Sequence, residues 1–302
     1  MKKIIILIMV TGLVAGCNTM KRVGHEVRLL LDDGSYAAQL EAEKQREILE
    51  QECIRIGGGS PLTSITYDEF LSIIRPKLET SGTKIANPSK NNMVLNALIY
   101  KALESTETQI TAFLSKYSAL NSSMREGNCY INLELRKRAY EKLRQEIVQY
   151  SYDYEKEQFK KATGYTLASK PLAFIDSPEK GKLYSLEGST VLQNVSEGML
   201  LTGGRYKERV NFLYAANVLA EGSSISGYAD YVGLFSYIAT LGNKKTVNAY
   251  RAVPQQKYKK ALDSCLFYSG VAPCEDDGYR HFSCIYSLKR EPTAAEIKSI
   301  LK

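Results

Sequence analysis

Histidine is nearly missing from this chain: His25 and His281 are the two among 302 residues. Most nucleophilic and acid–base constellations need an imidazole to carry the proton. No Gly-x-Ser-x-Gly partners His281 anywhere in the chain, which removes the serine-hydrolase elbow. A cysteine–histidine pair would need a thiolate kept out of disulfides. The triple glycine Gly57-Gly58-Gly59 follows a helical pattern and no Gly-Lys-Ser/Thr appears, so it reads as a helix breaker rather than a phosphate cradle. Glu275-Asp276-Asp277 lacks the Asp-x-Asp-x-Asp-Gly spacing of a calcium loop and reads as surface acids before Gly278. No stretch approaches the ~20 consecutive apolar residues of a membrane-spanning helix. Charge of one sign never accumulates: 40 bases and 33 acids are interspersed, without the one-sided basic face of nucleic-acid binders. Nothing selects a carboxylate pair for glycoside cleavage either. No catalytic residue, cofactor or nucleic-acid partner is expected from these patterns.

What is present begins at the first residue. Lys2 and Lys3 precede an unbroken apolar run from Ile4 to Val10, and Leu13-Val14-Ala15-Gly16-Cys17 closes it with small residues. A charged start, a short apolar stretch and a small-residue end describe an export signal. Leu13 to Cys17 resembles the lipobox of bacterial lipoproteins. That resemblance implies cleavage before Cys17, a diacylglyceryl group and an amide-linked acyl chain on Cys17. Burying acyl chains contributes roughly 0.8 kcal/mol per CH₂, so several chains anchor permanently. Asn18, not aspartate, follows the cysteine, which is similar to lipoproteins sorted to the outer membrane. The implied location is the outer membrane, lipid-anchored, on its periplasmic side. Loss of residues 1–16 removes Lys2 and Lys3 and no acid, taking the net charge from +7 to +5.

With Cys17 lipidated, Cys53, Cys129, Cys265, Cys274 and Cys284 remain, and outside the cytosol thiols tend to pair. We expect Cys53–Cys129 in the helical region and one bridge among the last three, leaving one odd thiol. Cys265, Cys274, His281 and Cys284 are also the ligand types of a structural zinc site. Their spacings are wrong for one, and an oxidising compartment favours the disulfide, so no metal is expected.

After a lipidated tether over residues 17–34, the pattern is helical to about residue 163. Ser35 caps a first helix that the glycine run ends. Asp68 to Glu79 reads as a short helix with Phe70, Leu71, Ile73, Ile74 and Leu78 inward, bent or ended near Pro76. Val94, Leu98, Ala102, Ile110, Phe113, Tyr117 and Leu120 predict a long helix, with a weak spot over Ser105–Thr108. Leu135, Ala139, Leu143, Ile147, Tyr150 and Tyr154 predict another from Ile131 to Ala162, the two making an antiparallel hairpin. The dense charge of the second, from Glu134 to Glu157, reads as a solvated face.

Past Gly164 the period changes to two. Val191, Gln193 and Val195 alternate, as do Val210 to Val218, and Tyr231–Leu241 is apolar on both faces. Five or six strands predict a small β barrel, SH3-like or OB-like, over residues 172–254, with a two-layer sandwich as the competing arrangement. A C-terminal extension over 255–302 carries a short helix, a cysteine-rich loop and a last helix from Pro292. The expected fold is therefore α+β: a signal peptide (1–16), a tether (17–34), an α-helical domain (35–163), a barrel and a tail. Tyr184, Tyr206, Tyr228, Tyr231 and Tyr237 are candidates for a ligand surface, with Tyr228, Tyr231 and Tyr237 foremost. The expected function is a non-enzymatic binding or scaffold lipoprotein with an envelope protein partner. The alternative is a peptidoglycan or glycan binder, or a hydrolase.

Overall fold

The computed structural model describes residues 35–79, 82–120, 127–168, 170–203, 209–215, 217–239, 241–269 and 287–301. The chain falls into two units, Met1–Ser64 with Thr108–Ala139, and Ile65–Glu107 with Tyr140–Lys302. Its helices are α1 (Ser35–Cys53), α2 (Tyr67–Leu78), α3 (Met93–Leu120), α4 (Asn128–Thr163), α5 (Lys259–Ser264) and α6 (Ala294–Ile300).

In the first unit, α1 runs into a π turn over Ile54–Gly58, where Gly57 takes φ +103° and breaks the helical path. This is the ending expected of the glycine run. Leu49, Cys53, Phe113, Leu114, Tyr117 and Leu133 are buried. Tyr117 packs against Phe113 and Tyr130 at centroid distances of 5.5 and 6.3 Å.

In the second unit, Thr66 caps α2 through a capping box with Glu69. The helix continues through Pro76 to Leu78 and forgoes the one backbone bond that an N–H at position 76 would give to the Ser72 carbonyl. Phe70, Leu71 and Ile74 are buried as expected, whereas Ile73 is exposed. Helices α3 and α4 lie antiparallel here: Asn96 donates to Ser151 Oγ at 2.9 Å, and further along Arg144 Nε donates to Glu107 Oε1 at 2.9 Å. The expected stripe on α3 holds at Ile110, Phe113 and Tyr117, which are buried, and is corrected by one position in the first half of the helix. Leu95, Ile99 and Leu103 are fully buried, and Val94, Leu98 and Ala102 are half-buried. Both rows have the same helical period, so spacing alone does not choose between them. The weak spot over Ser105–Thr108 is not a break: α3 is continuous, and Thr106 bonds back to the Ala102 carbonyl.

Strands β1 (Thr166–Leu167), β2 (Lys182–Ser185), β3 (Ser189–Val195), β4 (Gly198–Gly203), β5 (Arg209–Tyr214), β6 (Tyr228–Ile238) and β7 (Lys244–Ala252) form one sheet in the order β1-β2-β6-β7-β5-β4-β3. The β1–β2 and β5–β7 pairs are parallel and the rest antiparallel. The sheet curls into a half-barrel but does not close, since β1 and β3 are its two edges. The closed barrel expected from the sequence is therefore corrected to an open one. The outer edge of β3 is not bare: Val191 and Ser189 exchange backbone hydrogen bonds with residues 222–225. Covering an edge in this way blocks pairing with other chains.

One face of the sheet carries Tyr184, Leu186, Val191, Met199, Leu201, Leu213, Ala229 and Tyr250, packed with Leu172 of a short 3₁₀ turn. The other carries Leu200, Phe212 and Ala249 with Phe235, Tyr237 and Val247. A bulge between Tyr231 and Gly233 inserts Val232 and switches which face the odd-numbered residues of β6 occupy. Tyr231 therefore packs with the first face and Phe235 and Tyr237 with the second.

Candidate functional site

At one end of the half-barrel is a cleft of about 230 Å³ lined by Leu186, Met199, Leu213, Leu219, Ile225, Tyr228 and Tyr258, with Asn217 and Gln255 supplying polar groups. Its construction is local. The Val253 N–H donates to the Tyr228 carbonyl at 2.9 Å, tying the end of β7 to the start of β6. Gln255–Lys257 then makes one 3₁₀ turn, which presents Tyr258. The rings of Tyr228 and Tyr258 meet edge to face at 5.0 Å. Burial pushes both phenols above their ordinary pKa, so they remain neutral hydrogen-bonding groups. Elsewhere in the lining, the Leu219 N–H is held 3.2 Å from the Met199 sulfur. The lining includes no carboxylate, imidazole, amine or thiol. It is suited to hold an apolar side chain and offers no group to transfer a proton at neutral pH.

The sequence-expected tyrosines do not converge. Tyr228 lines the cleft; Tyr231 packs edge to face on Tyr250 at 5.6 Å; Tyr237 lies on the other sheet face near Phe212 and Ala249. Tyr184 is buried, with its hydroxyl oxygen 2.6 Å from the Glu179 N–H, and Tyr206 lies outside the described residues. Tyr258, which the sequence did not single out, is the second aromatic of the cleft. Its signal was faint: a lone tyrosine after Pro254 in a segment with no strand alternation.

A second feature surrounds Glu155. The charge-rich α4 was expected to be solvated, yet Glu155 is buried. Its Oε1 accepts the Leu266 N–H at 2.6 Å, and its Oε2 accepts those of Phe267 and Tyr268 at 2.7 and 2.8 Å. Burial raises its pKa, and the three N–H donors pull it back down. A cavity of about 380 Å³ adjoins it, with Phe159, Cys265 and Leu266 among its walls. Cys265 is a free, buried thiol whose pKa burial pushes up to about 12. It is held protonated at neutral pH and is a poor nucleophile.

Cys53 and Cys129 form the expected disulfide. Gly58 sits against it so closely that a Cβ there would lie 2.4 Å from Cys53 Sγ and 2.5 Å from Cys129 Sγ. Of the remaining cysteines and His281, Cys265 alone is described; Cys274, His281 and Cys284 lie outside the described residues, as does Cys17. Among the described residues no three His, Cys, Asp or Glu side chains are grouped to hold a metal ion. No described helix is long and apolar enough to cross a membrane. Compared with protein-family models, with curated proteins and with solved structures, the chain matches none.

Proposed function

We propose that this protein is an exported lipoprotein, anchored through Cys17 to the periplasmic side of the outer membrane, whose half-barrel binds an envelope protein partner without catalysing a reaction. The lipobox resemblance supports the anchor. The Cys53–Cys129 bridge supports an oxidising compartment, where disulfides persist. The observation that carries the binding role is the cleft that the Tyr228–Tyr258 pair helps to line. Its walls are apolar and aromatic, and the few polar groups at its rim fix orientation, as in pockets that receive an anchoring side chain. On this reading the path of the sheet is SH3-like or OB-like, and in such barrels a sheet face or the connecting loops often bind peptide or glycan.

Site-specific photocrosslinking tests it. A photoreactive phenylalanine analogue replacing Tyr228 in intact envelopes captures one discrete protein, and the same analogue at exposed Ile48 does not. Equal products at both sites, or retention on cell-wall sacculi in place of a protein adduct, overturns the reading.

A further inference from the structure

The three most exposed large apolar side chains of the described residues lie close together in one hairpin: Leu241 at 89%, Ile238 at 76% and Leu234 at 66%. Strand neighbours support this hairpin only at its base. β2 pairs with β6 over Tyr228–Asp230, and β5 pairs with β7 over Ala249–Arg251. From Leu234 outward, β6 and β7 have strand partners only in each other among the described residues. The ribbon stays ordered by its own bonds: Ser236 and Thr246 hydroxyls meet at 2.9 Å, and the Ala239 N–H donates to the Asn243 carbonyl at 2.9 Å. Leu234 and Ile238 are spaced for one face of the strand, and Leu241 stands at the tip. Scattered single apolar residues on a surface are ordinary; three on one projecting ribbon form a patch that calls for a partner.

Charge selects that partner. From Tyr231 to Ala252 the sequence contains no acid and three bases, Lys244, Lys245 and Arg251. Lys244 pairs across from Ile238 and Lys245 across from Tyr237, both lysines exposed at the tip. Apolar groups bracketed by cations, with a tyrosine at the boundary, match a bilayer surface of anionic headgroups over acyl chains. A second copy of the chain fits poorly, since apposed tips would bring like charges together. The geometry points to the β6–β7 hairpin as a second, reversible contact with anionic phospholipid, its tip seated in the headgroup layer. The inference rests on the lipid-anchored reading for the presence of a membrane.

The chain contains no tryptophan, so Leu241→Trp installs a single reporter at the tip. The protein used runs from residue 17 to 302 with Cys17→Ser, which removes the anchor from the measurement. Expected is a blue shift of emission with vesicles containing phosphatidylglycerol, absent with phosphatidylcholine alone and reversed by added salt. Adding Lys244→Gln and Lys245→Gln weakens apparent affinity by roughly five-fold per lysine, and Ile238→Ser by roughly ten-fold. No shift with either vesicle, an equal shift with both, a shift on raising protein concentration alone, or a shift with sacculi alone each overturns the inference. Intact mass of the native protein separates the two claims. A vesicle-dependent shift with no lipid on Cys17 keeps the hairpin contact and sinks the anchor. Lipid on Cys17 with no shift does the reverse.

Discussion

Cys53, at the last residue of α1, and Cys129, in the first turn of α4, are joined by a disulfide across 76 residues of chain with their Cα atoms 6.3 Å apart. Between them the chain passes through α2 and α3, so one bond closes most of the helical region into a loop. Asn132 Nδ2 and Arg136 Nε, one and two turns into α4, donate to the carbonyls of Gly58 and Gly57 and hold the same junction without sulfur.

Loss of the bridge will therefore weaken the fold without dissolving it. On the chain-entropy account, a loop of this length corresponds to about 4 kcal/mol. The double variant Cys53→Ala, Cys129→Ala is expected to lose between 2 and about 4 kcal/mol in urea unfolding followed by far-ultraviolet circular dichroism. A midpoint unchanged from the parent would show that the bridge constrains nothing in the unfolded chain.

Gly58→Ala probes the same junction sterically. Its Cβ would fall inside the contact distance of both sulfurs, and Cys53, fully buried, has little room to yield. We expect destabilisation of about 1–3 kcal/mol by overpacking, with easier reduction by dithiothreitol. Gly59→Ala is the control, because its Cβ would meet only Ile54 side-chain atoms at 3.5 Å or beyond. Equal effects from the two would sink the steric account.

Glu155→Gln removes one of two acceptor oxygens from a site where three backbone N–H groups converge. At least one N–H then faces an amide NH₂ in a buried place, an expected cost of about 2 kcal/mol. Hydrogen exchange of the amides of Leu266, Phe267 and Tyr268 should accelerate together, while Glu157→Gln, two residues on and exposed, leaves them unchanged. Protection retained in Glu155→Gln would mean that the turn is held by its packing instead.

Glu296 sets an acid limit on the C-terminal helix. Hydrogen bonds from Arg290 and from the Thr293 cap hold its carboxyl down at about 2, against an ordinary 4.5. A depressed carboxyl contributes stability that is complete above its unfolded pKa and is lost as pH falls through the folded one. Exchange protection over α6 should thus be constant above about pH 4.5 and fall towards pH 2. Glu296→Gln should already show reduced protection at neutral pH and lose this acid step. A step of the same size in the variant would assign the titration elsewhere.

The helical boundaries were readable because caps, breakers and period are local. The triple glycine and Gly127-Asn128 bound the end of α1 and the start of α4 where the structure places them, to within a few residues. The face each helix buries was less readable. Val94–Leu98–Ala102 and Leu95–Ile99–Leu103 are equally periodic, and only the neighbouring α4 decides between them. In the sheet, one inserted residue, Val232, defeated the alternation rule: period two assigns faces only until a bulge resets it. Tyr228, Tyr231 and Tyr237 looked equivalent along the sequence for that reason, and they ended in different clusters. Glu155 looked like one charge among many on α4 because its partners are backbone groups more than 100 residues away, and backbone groups carry no sequence signature.

By itself the sequence determined the order of helix then strand, the ends of the helices, the export-like start and the cysteine pair fitted for bridging. These depend on residues near one another along the chain and on their intrinsic conformational preferences. Tertiary structure alone decided that the sheet stays open, that Tyr258 joins Tyr228 at its end, that Gly58 shelters the disulfide, and that a glutamate lies buried beneath a turn. Each of these is a contact between distant segments, chosen by how volumes and hydrogen-bonding groups fit once the chain has closed on itself.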